Sequence, residues 1–235
     1  MKPSKHTASF YNSIWERGLK RGKKQFGDQE KSYQFLIKTG VLDSPGCLLE
    51  VGCGMGGLSH SIVQHTDYKV IATDISHKAL LAGRNHFKDV DFLNSDATAL
   101  SIRSGSFDVC ASFDVAEHIV MIDDYFSEIH RILKSRGVFV FQTPNAVINP
   151  IAETIRWKGF GWKAHHPSLQ TRRSLQRKLI RAGFSSVKIY KEAPYSPAVL
   201  YKKLPGPVAF FIQRIPWKYV PLSLLPHFWG VAYKS

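Results

Sequence analysis

The chain has 235 residues, 44% apolar and 12% aromatic, enough to bury a core in one large domain or two small ones. Its net charge of +14 is unevenly spread: residues 41–155 carry 8 Lys/Arg against 14 Asp/Glu, whereas residues 156–191 carry 10 against none. No stretch reaches the ~20 continuous apolar residues of a membrane span, the opening MKPSKHTASFYNS lacks the apolar segment of a secretory signal, and three scattered cysteines (Cys47, Cys53, Cys110) offer neither a disulfide framework nor a metal spacing, which fits a reducing cytoplasm.

Residues 10–40 read as helical, with Phe10, Ile14 and Trp15 on one side and Tyr33, Leu36 and Ile37 on a second segment. Ser44-Pro45-Gly46 breaks the chain before an apolar strand over 47–51. The spacing of Leu58, Ile62 and Val63 predicts a helix immediately after it. A strand over 69–75, a helix over 77–87, a short strand over 90–96 and a buried strand over 107–113 follow. Residues 123–134 form an amphipathic helix with Tyr125, Phe126, Ile129, Ile132 and Leu133 inward, stopped by Gly137, and residues 138–145 a further strand. Strands alternating with helices predict a parallel sheet wound on both faces. Beyond residue 146 the rhythm changes to a basic helix over 168–184 ending at Gly183, a strand over 185–190, a stretch rich in proline and aromatic residues over 193–226, and a last strand over 227–235.

Gly52, Gly54, Gly56 and Gly57 stand where the first strand stops, and so glycine-rich a turn lets backbone pass close to a nucleotide-like ligand. Asp74 closes the second strand, 18 residues past Gly56. A carboxylate there accepts bonds from ribose hydroxyls or caps the following helix; Ser76 is already placed for the cap. Asp96, in Asn94-Ser95-Asp96-Ala97, stands where a carboxylate takes the exocyclic amine of adenine beside a backbone N–H, or where it caps a helix. Glu50, inside the apolar strand, is costly to bury without a partner, and a ligand ammonium group would be one.

Taken together and in this order, LLEVGCGMG, ATDIS, NSDA, FDVCASFDVAEHI and ILKSRGVFVFQTPN make residues 46–145 resemble the class I S-adenosylmethionine-dependent methyltransferases. The resemblance implies an α/β, Rossmann-like, seven-stranded sheet with helices on both faces and the last strand antiparallel. It also implies S-adenosylmethionine across the carboxyl ends of the first four strands. Glu50 and the Gly52–Gly56 turn would hold the methionine part, Asp74 and Ile75 the ribose, and Asp96 with Ala97 the adenine. Phe113 and Asp114 would wall the sulfonium side. Residues 1–45 would form an N-terminal helical cap, and residues 46–235 the methyltransferase domain with a substrate-covering insertion over about 191–226. A hydride-transfer enzyme competes on glycine count alone, but NSDA and VAEHI speak against it.

The acceptor is less legible. Glu117 and His118, just past the fourth strand, stand where a hydroxyl acceptor would lose its proton, and an imidazole has the matching pKa range; both residues also suit a helix cap. His165 or His166 is a second candidate base, or a surface pair beside Pro167. VAEHI and TPN resemble small-molecule O-methyltransferases, including ubiquinone-pathway enzymes, and no metal is assigned. Phe210, Phe211, Ile212, Trp217 and Tyr219 interleave with Lys202, Lys203, Arg214 and Lys218, a pattern suited to a lipid surface with anionic headgroups or to an ordinary lid. The expected acceptor is therefore a small apolar or lipid-linked molecule, a quinone precursor or glycolipid, with the basic flanks suiting negative charge and peripheral membrane contact. An RNA or protein methyltransferase is the alternative. Nucleic acid is disfavoured because Phe113-Asp114-Val115-Ala116 replaces the Asn/Asp-Pro-Pro-aromatic segment of amino-group methylation on nucleic acids. A non-catalytic binding module would need the pocket motifs lost, and they are intact.

Overall fold

The structure is a computed structural model that describes residues 7–22, 27–150, 154, 163 and 165–235. Seven strands form one sheet: β1 (Cys47–Val51), β2 (Lys69–Asp74), β3 (Asp91–Asn94), β4 (Phe107–Phe113), β5 (Leu133–Pro144), β6 (Ser186–Tyr190) and β7 (His227–Tyr233). Their order is β3-β2-β1-β4-β5-β7-β6. The first five pair in parallel, and β7 runs antiparallel to both neighbours. The expected sheet and its antiparallel final strand are therefore present. After β3 the chain returns to pair β4 with β1, so strand order reverses there, the place where open α/β sheets leave a crevice at their carboxyl ends.

Helices α1 (Ala8–Lys20) and α2 (Gln29–Lys38) precede the sheet. Helices α3 (Gly57–His65), α4 (His77–His86) and α5 (Ile122–Ile132) cross between strands, and α6 (Arg172–Arg181) precedes β6. Local chemistry sets their ends. Ser76 caps α4 by accepting from the Ala79 N–H, and Thr171 caps α6 by accepting from Ser174. Asp123 and Asp124 open α5, while His130 and Arg131 close it, both favourable with the helix dipole.

Two apolar layers clamp the sheet, which is why β1 from Leu48 on and β5 from Phe139 on are buried. On one face Tyr125, Phe126 and Ile129 of α5 and Leu175 and Leu179 of α6 pack with Phe139 and Phe184. On the other, Phe35 and Leu36 of α2 and Leu58 and Ile62 of α3 pack on Val70, Val140 and Trp229. Among the described residues no helix is long and apolar enough to cross a membrane.

Two local expectations need correction. Helix α5 stops at Ile132 and Gly137 is not its terminator. Leu133 enters β5 directly, and the left-handed turn falls on Arg136, φ 63°. The ladder slips there, with Phe107 opposite Leu133 and Val109 opposite Val138. The basic helix begins at Arg172 rather than 168, because Ser168 is spent on the β4 loop, its N–H donating to the Glu117 carbonyl and its hydroxyl to that of Ile119. Its end is as expected: Gly183, φ 108°, follows the C-cap. The stretch over 193–226 contains two short helices, α7 (Pro197–Lys203) and α8 (Gly206–Gln213), and two single 3₁₀ turns. Ser196 caps α7, with proline at its first turn.

Candidate active site

The turn after β1 is held open by backbone conformation. Gly52 and Gly54 have φ of 77° and 56°, which side chains with a Cβ rarely adopt. A Cβ on Gly52 would lie 2.2 Å from the Val115 side chain, and one on Gly54 2.6 Å from the Trp15 ring. The bare backbone thus admits protein neighbours as close as any ligand.

Asp74 fastens this turn to the end of β2. Its Oδ2 accepts from the Gly54 N–H at 2.8 Å and its Oδ1 from the Ser76 N–H at 2.8 Å. Burial raises its pKa, opposed by these N–H donors and that of Ile75. Because each carboxylate oxygen offers two lone pairs, both can still accept from a ligand hydroxyl.

These residues surround a cavity of about 790 Å³ at the carboxyl ends of β1, β2 and β4, a volume in the range of small-molecule sites. Gly52, Gly54, Asp74, Ile75, Asp96, Ala97, Phe113, Asp114, Glu117, His118, His165 and His166 all line it. Glu50 and Gly56 do not. The Glu50 carboxylate lies buried under the turn, accepting from both the N–H and the hydroxyl of Ser59. Burial pushes its pKa up to about 7 against those two bonds. Asp96 accepts from the N–H and hydroxyl of Thr98 through Oδ1, an internal turn cap that leaves Oδ2 for a ligand.

The far wall carries the titratable groups. Asp114 sits at φ 55°, tolerated by Asp better than by most residues, with its N–H donating to Gln142 Oε1. His118 Nδ1 lies 2.6 Å from the His165 carbonyl, so Nδ1 donates, and in the neutral ring the lone pair is on Nε2. Glu117 accepts from the Thr143 hydroxyl and lies 3.9 Å from His118 Nε2. Burial, with the Asp114 carboxylate beside it, pushes Glu117 far above the usual carboxylate range. That shift favours the protonated form of Glu117 beside His118. His165 and His166 divide their roles: one lends a carbonyl, and the ring of the other stands 5.0 Å from that of His118. Glu117, His118 and His166 each present a ligand atom within 4.8 Å of the others, a trio able to hold a divalent ion.

Several lining residues carry no sequence signal. Helix α1 roofs the cavity with Tyr11, Ile14 and Trp15. Asn12 pins it in place, its Oδ1 accepting from the Ser76 hydroxyl and the Lys78 N–H. The Tyr11 hydroxyl is buried with no hydrogen-bond partner among the described residues, its ring edge-on to His118. Burial and the Glu117 and Asp74 carboxylates raise its pKa. Tyr195 and His227 close the opposite rim. Among the described lining residues there are five carboxylates and no lysine or arginine. The basic chain therefore encloses an acidic cavity.

The cavity fits S-adenosylmethionine on three counts: carboxylates at the ends of β2 and β3, a described lining without lysine or arginine to repel a sulfonium and an ammonium, and an orphaned buried hydroxyl. Residues 49–141 match the family model described as "Methyltransferase domain". A "probable S-adenosylmethionine-dependent methyltransferase" of Mycolicibacterium smegmatis is 30% identical over 100 residues, 43% of this chain and 38% of the relative. The sterol 24-C-methyltransferase of Debaryomyces hansenii is 26% identical over 99 residues, 39% of this chain and 26% of the relative. The chain thus spans well under half the length of these curated relatives. Among solved structures, Haemonchus contortus phosphoethanolamine N-methyltransferase 2 with S-adenosyl-L-methionine superposes at TM-score 0.63, with 19% identity, over 86% of this chain and 52% of that one. An S-adenosylmethionine-dependent methyltransferase of Mesorhizobium loti superposes at 0.64, with 17% identity, over 88% of this chain and all of that one. The strand order, the glycine turn and the family match agree, and residues 49–141 carry a methyltransferase domain similar to those of the class I S-adenosylmethionine-dependent enzymes.

Proposed function

We propose that the protein transfers a methyl group from S-adenosylmethionine to the hydroxyl of a small apolar or lipid-linked acceptor. The single observation that carries this reading is the His118–His165 contact, which commits Nδ1 to donation and so makes Nε2 the basic nitrogen of the neutral ring on the cavity wall. When bound, the cofactor supplies an electrophilic methyl on sulfur. Asp74 and Asp96 hold its nucleoside end through their remaining lone pairs, and Phe113 lines the site beside Asp114. His118 Nε2 accepts the acceptor's hydroxyl proton as the oxygen takes the methyl, a role worth about 10²–10⁴ in rate. Ile14, Ile119, Met121 and Pro144 supply the apolar wall that holds an acceptor and excludes water.

The carboxylate-rich lining disfavours a phosphate-bearing acceptor, RNA included, inside the cavity. It also favours a second reading, N-methylation of an amine, because five carboxylates attract a cation. One experiment separates them. The protein is incubated with S-adenosylmethionine and matched apolar phenols, amines and their phosphorylated analogues, and S-adenosylhomocysteine and product are measured by mass spectrometry. The proposal expects methyl ethers, with phosphorylated analogues inert. Methyl amines alone would install the second reading, and turnover only on phosphorylated compounds would overturn both.

A further inference from the structure

Between β6 and β7 the chain turns apolar side chains outward. Seven of the fourteen large apolar residues exposed among the described residues fall within 201–224, led by Phe211 at 70% and Tyr219 at 72%. On α8, Ala209 is fully buried while Val208 and Phe211, three positions apart, stand out in solvent. Exposed apolar clusters of this kind mark interaction surfaces.

Charge identifies the partner. From residue 193 to the end the sequence contains no Asp or Glu. Lys202, Arg214 and Lys218 are exposed, with no ion pair among the described residues. Arg214 lies 3.3 Å over the Phe210 ring, and Lys218 4.9 Å from that of Tyr219. Rings and cations side by side match the boundary between acyl chains and anionic headgroups. A second copy of the chain would bring the same cations against one another in a two-fold interface, so it is disfavoured.

The segment is also fastened beside the cavity at both ends. The Ser196 N–H and hydroxyl donate to Asp28, a cavity residue. Asn145, after β5, donates its Nδ2 to the carbonyls of Ser223 and Leu225. We propose that residues 197–224 dock on an anionic phospholipid surface and so hold the rim of the cavity against lipid. The inference stands apart from methyl transfer, since it rests only on this surface.

The test is flotation of the full chain with phosphatidylcholine vesicles, with and without phosphatidylglycerol, at low and high salt. The wild type is expected to float with the anionic vesicles at low salt and to be released by salt. Arg214→Glu and Lys218→Glu should each lower partitioning by about fivefold, and the double variant Phe211→Ser/Tyr219→Ser should abolish it. Circular dichroism and S-adenosylhomocysteine binding, unchanged in all variants, would show that loss of flotation is not loss of fold. Absence of flotation at low salt would overturn the proposal, as would variants that float like the wild type. A lipid-free dimer that the double variant loses would assign the surface to self-association instead.

Discussion

The Nδ1–H of His118 is held 2.6 Å from the carbonyl of His165, across 47 residues of sequence. This one bond selects the tautomer whose Nε2 accepts a proton. His118→Ala should lower kcat by about 10²–10⁴ while leaving S-adenosylhomocysteine affinity within a few-fold of wild type. Steady-state kinetics beside calorimetry check it. An unchanged kcat would remove His118 from the chemistry.

Glu50 gives the molecule a pH-dependent stability. Its folded pKa of about 7 lies above the ordinary 4.5, so the folded state binds this proton more tightly than the unfolded chain. The contribution is fully present below about pH 4.5 and is lost as pH rises through about 7. The loss is at most about 3 kcal/mol. Glu50→Gln keeps an acceptor for Ser59 and removes the titration. Urea unfolding at pH 5 and pH 8 should show the wild type losing more stability than the variant. Parallel losses would contradict the burial argument.

Gly54→Ala should destabilise the fold by about 2–3 kcal/mol, because it combines a left-handed φ with a Cβ 2.6 Å from the Trp15 ring. It should also loosen α1 and expose it to proteolysis. Gly105 is the control, with φ of 65° and nothing within 4 Å of its added Cβ. Gly105→Ala should cost only the backbone strain, about 1–2 kcal/mol, with α1 still protected. Equal protease sensitivity in the two variants would refute the packing role of Trp15.

What the sequence made legible was whatever depends on neighbours along the chain. Alternating apolar runs gave the sheet, Ser76 marks a helix start through a bond three residues long, and Gly183 marks a helix end. Asp74 is readable because it follows its strand directly. The roof of the cavity is not, because Tyr11 and Trp15 reach it only after α1 packs on α4 and the turn after β1. Glu50 shows the limit of a local argument: a buried acid does need a partner, but here that partner is Ser59 on the next helix. The two histidines beside Pro167 look equivalent in sequence. Only the path of the chain over the β4 loop makes the His165 carbonyl an acceptor for His118 and sets the His166 ring beside it.

Tyr11→Phe separates stability from function. The buried hydroxyl has no partner among the described residues, so its removal should leave stability unchanged or raise it by up to about 1 kcal/mol. If a bound ligand is what the hydroxyl meets, kcat/KM should fall about tenfold in the same variant. Thermal unfolding and kinetics together check this. A clear loss of stability would mean that the hydroxyl has a partner in the folded chain.

The central claim is that this cavity recognises S-adenosylmethionine through Asp74 and the turn it secures. Isothermal titration of the purified chain with S-adenosylhomocysteine tests it most directly. The account predicts saturable one-to-one binding, weakened about ten- to hundredfold by Asp74→Ala, the worth of one or two charge-assisted hydrogen bonds. A folded wild-type chain that gives no heat, or an Asp74→Ala variant that binds as tightly, would contradict it.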